Sequence, residues 1–483
     1  MKSPQGRLPA LRIAAALACA WIVAVLAGCG QSTAAVPAVA NRIALQDDPL
    51  PAAPTLPLGL GCGWAVQSDI DTTNIAFPDN AAEYWVALLP VTPSTRVRID
   101  GRYPAVRYFS FNSYDPLLGA LDVQTDYQLA PIRPGNNPLQ NPSADPGARY
   151  IAYIAYGAPP AQRAPNTLYA GDIALNALQI PNGILVPVIY RTYVPAAGYG
   201  FDGGVGLPQL TLETTDGTAL ASLPTCAAPL LPTFGGLVQS PGLNDLLLGV
   251  NYPEALALPF PTAVYPPRTT RFYGLPNSLL AIIGNLIPSL QPQLQQIGTE
   301  LPLGKGGFLN NLDNAYVTTA FARAYGNLIL LRAKAPNWRG APDVPLGNED
   351  MRYWSVCENE FVTQRYVACT ADYQTVFDRD GYFTVAVSDP ANRPANATAA
   401  HGISWLPWGP FVDGLLIYRN MLPSANFAPA IQNVPQGTAP QQVMGDYFPQ
   451  VTYCRPAVFA GAGGDAAAIF AACAADQATN PPG

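Results

Sequence analysis

The chain has 483 residues and a formal net charge of −7, with 25 Lys and Arg against 32 Asp and Glu. That balance, with no basic cluster, argues against nucleic acid as a partner, because such binding depends on cations that neutralise phosphates. Charged residues make up only 12% while Pro reaches 52, a composition that disfavours long exposed helices and predicts a mainly β, loop-rich protein.

The N-terminus carries an export pattern. Lys2, Arg7 and Arg12 form a basic region, and Ile13 to Val25 is an uninterrupted apolar run. That run is too short to span a bilayer, which takes about 20 residues, so it reads as a secretory signal. Leu26-Ala27-Gly28-Cys29 follows and resembles the lipobox of bacterial lipoproteins. The resemblance implies cleavage after residue 28 and lipidation of Cys29, with palmitate among the acyl chains that hold the protein to the membrane. Gly30 at the next position implies, in a Gram-negative host, transfer to the outer membrane. Residues 29–61 are rich in Ala and Pro and read as a flexible tether.

From there the chain repeats itself. RYFSFNSYD at residues 107–115 returns as RYWSVCENE at 352–360, and Asp126-Tyr127-Gln128 returns as Asp372-Tyr373-Gln374. YIAYIAY from Tyr150 matches YFTVAVS from Tyr382. Ile189-Tyr190-Arg191 with Pro195 matches Ile417-Tyr418-Arg419 with Pro423, and Asp79-Asn80 matches Asp313-Asn314. Ordered matches at similar spacing predict an internal duplication. The first copy spans 62–226 and the second 311–454, and residues 132–147 form an insertion in the first. Their strands are short, aromatic or β-branched, and bounded by turn residues, with Asp216-Gly217 and Asp380-Gly381 expected at tight hairpins. Two tandem antiparallel β-sandwich or jelly-roll domains fit this pattern.

Residues 227–310 read as a connecting segment, with a short helix expected within 276–298, either a packed connector or a cover over a groove. Residues 455–483 are an Ala/Gly-rich tail with one short helix pinned by Cys473. Six cysteines remain outside the signal and the lipobox: Cys62, Cys226, Cys357, Cys369, Cys454 and Cys473. In an exported chain they predict three disulfides. Fifteen pairings are open, and chain order favours Cys62–Cys226, Cys357–Cys369 and Cys454–Cys473. The absence of a C-x2-C pair and the single His argue against a metal site, and no cofactor motif is present.

Catalytic motifs are scarce. His401 lies in a Pro- and Gly-rich loop and reads as a solvated residue; no G-x-S-x-G occurs. Gly203-Gly204-Val205-Gly206 reads as a bend, and Asp378 with Asp380 as a turn rather than a calcium loop. The repeated polar set is Arg107, Asp126 and Arg191, with Arg352, Asp372 and Arg419. An Arg in phase with apolar strand residues needs a carboxylate to offset its burial, and the pairs Arg107–Asp126 and Arg352–Asp372 are expected inside each copy as clamps. Such an Arg could instead present its fork to a ligand carboxylate or phosphate. Trp405 and Trp408, expected in a loop, are either a stacking platform or a hydrophobic plug.

RYWSVCENE, DGYFTVAVSDP, ISWLPWGP and LLIYRNMLP together resemble the C-terminal domain of an uncharacterised bacterial envelope family, a domain of unknown function. The resemblance implies a β-sandwich envelope protein and no particular activity. The sequence therefore predicts a lipid-anchored cell-envelope protein that binds an envelope ligand or protein or has a structural role. The competing expectation is a surface hydrolase or lyase acting on a glycan or lipid through carboxylates such as Glu358 and Glu360.

Overall fold

Side chains on a strand alternate between two faces, so a strand buried on both must sit between two layers. All nine residues of VRYFSFNSY are buried, and so are all nine of MRYWSVCEN. The computed structural model describes residues 62–225, 263–272, 310–337 and 349–481, except 72–73, 75, 116–118, 172–184, 362–363 and 436. The expected signal, Cys29, the tether, the 276–298 helix and Cys226 lie outside the described residues.

Among the described residues, the first copy has ten strands: β1 Val66–Ser68, β2 Ala82–Pro90, β3 Thr95–Arg102, β4 Val106–Tyr114, β5 Ala120–Thr125, β6 Arg149–Ala155, β7 Thr167–Tyr169, β8 Leu185–Pro195, β9 Gln209–Thr214 and β10 Ala219–Leu223. The second has nine among the described residues: β11 Thr269–Phe272, β12 Asn314–Ala322, β13 Leu328–Lys334, β14 Met351–Asn359, β15 Tyr366–Ala371, β16 Tyr382–Ser388, β17 Ile403–Pro407, β18 Asp413–Pro423 and β19 Gln450–Tyr453. In the first copy one sheet runs β1-β2-β8-β4-β5 and the other β10-β9-β3-β6-β7; in the second they run β11-β12-β18-β14-β15 and β17-β16-β13-β19. The first sheets correspond strand for strand. In the second sheets, β13, β16, β17 and β19 take the places of β3, β6, β7 and β9, and among the described residues β10 has no counterpart.

The correspondence extends to irregularities. β4 slips register against β5 at Ser113/Tyr114, and β14 slips against β15 at the equivalent Glu358/Asn359. Val194 and Leu422, each just before the matching proline, both take positive φ, 52° and 47°. Left-handed backbone at non-glycine residues costs about 1–3 kcal/mol, so its occurrence at both equivalent positions marks a feature of the shared fold.

Each copy packs its two sheets around its own core. The first is aromatic: Trp64, Trp85, Phe109, Phe111, Tyr150 and Tyr190 meet there, with Phe111 stacked on Tyr190 at 5.0 Å. The second is built on Trp354, Phe383 and Tyr418, with Trp354 stacked on Phe383 at 4.7 Å.

Three departures from expectation concern the sheets and the tail. The sandwiches are not wholly antiparallel, because β7 runs parallel to β6 and β17 parallel to β16. In both cases a connection, residues 156–166 and 389–402, carries the chain back before the next strand, so the two run parallel. β11, from the segment expected to be a connector, is instead the edge strand of the second copy, paired with β12. The tail belongs to the second copy too, as helices α2 (Pro456–Gly461) and α3 (Ala466–Thr479), after a short α1 (Pro440–Met444). Asp465 caps α3 by accepting from the Ala468 amide, and Phe459, Ile469 and Phe470 pack on Leu328, Leu330 and Ala386. Asp216-Gly217 turns β9 into β10, and Asp380-Gly381 leads into β16, each with a positive-φ glycine.

Candidate functional site at the junction of the two copies

Strand alternation divides β4 between two partners. Phe109 and Phe111 enter the first core, while Tyr108, Ser110 and Asn112 point toward the second copy. On β14, Trp354 and Val356 enter the second core, while Tyr353 and Ser355 reach the first copy. The sheets carrying β4 and β14 therefore face one another, and a shared apolar cluster of Ala81, Tyr108, Tyr193, Val194, Tyr353, Ala371 and Met421 lies between them.

Both clamps are exchanged. Arg107 Nη1 donates to both oxygens of Asp372, at 2.7 and 2.8 Å. Arg352 Nη1 donates to both oxygens of Asp126, at 3.3 and 3.1 Å, and to the Arg107 carbonyl at 3.0 Å. The expected pairs, Arg107–Asp126 and Arg352–Asp372, are thus replaced by their crossed counterparts. Each Asp is held in place by its own copy: Asp126 accepts from the Phe109 amide at 3.0 Å, and Asp372 from the Trp354 amide at 3.2 Å. Anchoring each carboxylate to its own strand turns its free side across the junction, where the other copy's Arg meets it. All four side chains are at most 1% exposed.

A second exchange surrounds the first. Asp79, just before β2, accepts from Ser355 Oγ at 2.6 Å, from Tyr353 Oη at 2.9 Å and from Arg419 Nη1 at 3.5 Å. Asp313, just before β12, accepts from Tyr108 Oη at 2.7 Å and Thr125 Oγ1 at 2.6 Å. The arms carrying these residues cross as well. Phe77 packs among Ala320, Leu415 and Ile417 of the second copy, and Leu312 packs against Tyr114, Ala120 and Ile189 of the first. Residue i meeting j while j′ meets i′ is the signature of a twofold interface, here formed within one chain.

Burial shapes the electrostatics. It pushes Asp372 up to about 6 against the opposing pull of Arg107, and raises Asp126 and Asp313 as well. Glu83 on β2 is pushed up to about 7, by burial first and then by Asp69.

No protein-family model and no curated protein matches the chain. Among solved structures it is similar to an uncharacterised protein from Burkholderia cenocepacia, with 13% identity, a TM-score of 0.38, and coverage of 73% of this chain and 75% of that one. It is also similar to a structural-genomics target from Vibrio parahaemolyticus, with 13% identity, a TM-score of 0.34, and coverage of 78% and 90%.

The remaining sequence candidates fall elsewhere. Arg191 and Arg419 occupy equivalent places but differ in contacts: Arg191 donates to Tyr114 Oη, while Arg419 reaches Asp79, the Phe77 carbonyl and Cys357 Sγ. Trp408 is a plug, 4% exposed, packed edge-on to Phe321 and capped by the Arg323 guanidinium. Trp405 lies on β17 rather than in a loop, half-buried under Arg393, and its indole donates to Ser388 Oγ. His401 Nδ1 bonds with Thr398 Oγ1 in a short helical turn. The Asp378 carboxylate caps its own turn and pairs with Arg332. Glu358 is sealed: burial pushes its carboxyl well above the usual range, and its carboxylate lies against Gly414. Glu360 pairs with Arg365 at 2.7 Å.

Cys357–Cys369 and Cys454–Cys473 are both formed, and Cys62 is disulfide-bonded as well. Among the described residues, one trio of potential metal ligands, Asp79, Cys357 and Cys369, lies within 4.8 Å; its two sulfurs are joined to one another. Sequence reading missed the arms at Phe77 and Leu312. The repeated Asp-Asn at 79–80 and 313–314 was their only signal.

Proposed function

We propose that this chain is a lipid-anchored cell-envelope protein in which two sandwiches locked face to face act as one rigid body that binds an envelope ligand or protein, or has a structural role. The location rests on Leu26-Ala27-Gly28-Cys29 behind a basic and apolar signal. The role rests on the crossed Arg–Asp pairs, whose side chains are at most 1% exposed. Polar residues that recur in both copies and are closed off from solvent fasten the copies together and offer no group to a substrate.

The hydrolase reading through Glu358 and Glu360 is the weaker one. Paired carboxylates in glycosidases stand about 5–9 Å apart astride an open cleft, whereas Glu358 is fully buried and Glu360 is engaged by Arg365. Two measurements test the proposal. Cys29→Ser should move the protein from the membrane to the soluble fraction; retention on the membrane would remove the lipid anchor from the reading. Purified protein should bind an envelope component without converting it, and turnover of a glycan or ester would replace the binding role with catalysis.

A further inference from the structure

We infer that Cys357–Cys369 is an exchange-active disulfide that accepts electrons from a dithiol, with Cys369 as the sulfur attacked and Cys357 as the leaving sulfur. Four observations carry this.

The fold does not require the bond. Cys357 faces Cys369 across β14 and β15, and the equivalent pair in the first copy, Asn112 opposite Val123, holds the same register and the same bulge without one. The two cysteines also differ in exposure. Cys357 is fully buried, while Cys369 is a partly exposed residue on β15, an edge strand of its sheet. A thiolate must approach along the sulfur–sulfur axis, so solvent-side attack falls on Cys369 and expels Cys357 inward.

A cation waits for the expelled sulfur. Arg419 Nη1 lies against Cys357 Sγ, and a guanidinium beside a sulfur favours the thiolate. Exchange is faster when the leaving thiol is the more acidic. Arg191, the equivalent residue in the first copy, donates to Tyr114 Oη, so this arrangement accompanies the cysteines. The other described disulfide, Cys454–Cys473, provides the contrast. It joins β19 to α3, both its cysteines are at most 4% exposed, and the polar contact at Cys454 Sγ is the Arg455 carbonyl.

The chemistry balances with one co-reactant, a protein or small-molecule dithiol. Its thiolate forms a bond to Cys369 Sγ, the Cys357–Cys369 bond breaks, and the electron pair leaves on Cys357 opposite Arg419. The donor's second thiol, as its thiolate, then displaces Cys369, leaving the donor oxidised to a disulfide and this chain reduced by two electrons. The new thiolate competes for Arg419 with Asp79 and the Phe77 carbonyl, both on the crossing arm of the first copy.

The test is limited reduction of the folded full-length protein with glutathione, followed by acid quenching and peptide mapping. Cys357–Cys369 should open first, with glutathione on Cys369, Cys357 free, and Cys454–Cys473 intact. Arg419→Met should slow the opening roughly tenfold, the order expected when a charge beside the leaving sulfur is lost, and Arg419→Lys should restore most of the rate. Loosening of the junction would instead speed the reaction. Glutathione on Cys357, equal opening of the two disulfides, or an Arg419→Met rate at or above wild type would each overturn the inference. The adduct position is read on the wild-type chain, so that arm stands whether or not the variants fold.

Discussion

Arg107 holds Asp372, a residue 265 positions away in the other copy, although Asp126 of its own copy occupies the equivalent place. The same exchange binds Arg352 to Asp126. A clamp predicted to close each sandwich on itself therefore closes the two sandwiches on each other. This relationship fixes where substitutions should be coupled.

A double-mutant cycle should find strong coupling between positions 107 and 372 and between 352 and 126, and little between 107 and 126. Removing one member of a buried ion pair strands its partner and costs about 3–5 kcal/mol. Arg107→Met alone should therefore lower unfolding stability by that order, and adding Asp372→Leu should recover much of it. Urea denaturation of the wild type and the three variants in each cycle gives the coupling directly. Equal coupling within a copy would contradict the crossed arrangement.

Cleavage of the connecting segment should not separate the halves. The junction buries three ion pairs, a shared apolar cluster and both crossing arms. With a specific protease site placed within residues 226–262, the nicked protein should still elute as one species. Elution as two would show that the covalent link, rather than the junction, holds the copies together.

Stability should rise as pH falls from about 8 to about 5. Glu83 and Asp372 are held near 7 and 6 by burial, above their unfolded values of about 4. The folded state thus binds protons more readily than the unfolded one. The stabilisation from these groups is complete below about pH 4 and is lost as pH climbs through 6 and 7. Glu83→Gln, which keeps the neutral form beside Gln67 and Asp69, should flatten the upper half of a melting-temperature profile. An unchanged slope would mean that Glu83 does not titrate in that window.

Gly101→Ala should destabilise the first sandwich by about 1–3 kcal/mol, the usual cost of overpacking a core. A Cβ there would lie 2.2 Å from Tyr150 Cζ, inside the aromatic core. Tyr150→Phe should be neutral or mildly stabilising, because the buried phenol oxygen has no hydrogen-bond partner and the desolvation it suffers has no compensation. Thermal unfolding of the two variants checks both directions.

The strand pattern of RYFSFNSYD was readable because a period of two is local, and repetition made the second sandwich readable from the first. Ion-pair partners were not readable for a physical reason. A duplicated sequence offers every Arg two equivalent carboxylates, and spacing along the chain cannot distinguish its own from its neighbour's. β11 was hidden in a Pro-rich stretch and short enough that its pairing with β12, rather than its composition, makes it a strand. Phe77 takes a positive φ of 56° to reach the second copy, a conformation no propensity would assign to it. The Trp405 and Trp408 pair turned on which residue the core could cover, and only the packing of Phe321 and Arg323 decides that.

In a homodimer, one gene writes both subunits, so every substitution appears twice and the two faces must drift together. Here each half has its own stretch of coding sequence, and that freedom is unequal across the molecule. A change at Asp372 must be answered at Arg107, far upstream, whereas residues away from the axis answer to nothing in the other half. That is where the halves have in fact parted: the 132–147 insertion on one side and the C-terminal helices on the other. The handshake is common to both halves, and what sets them apart lies around it.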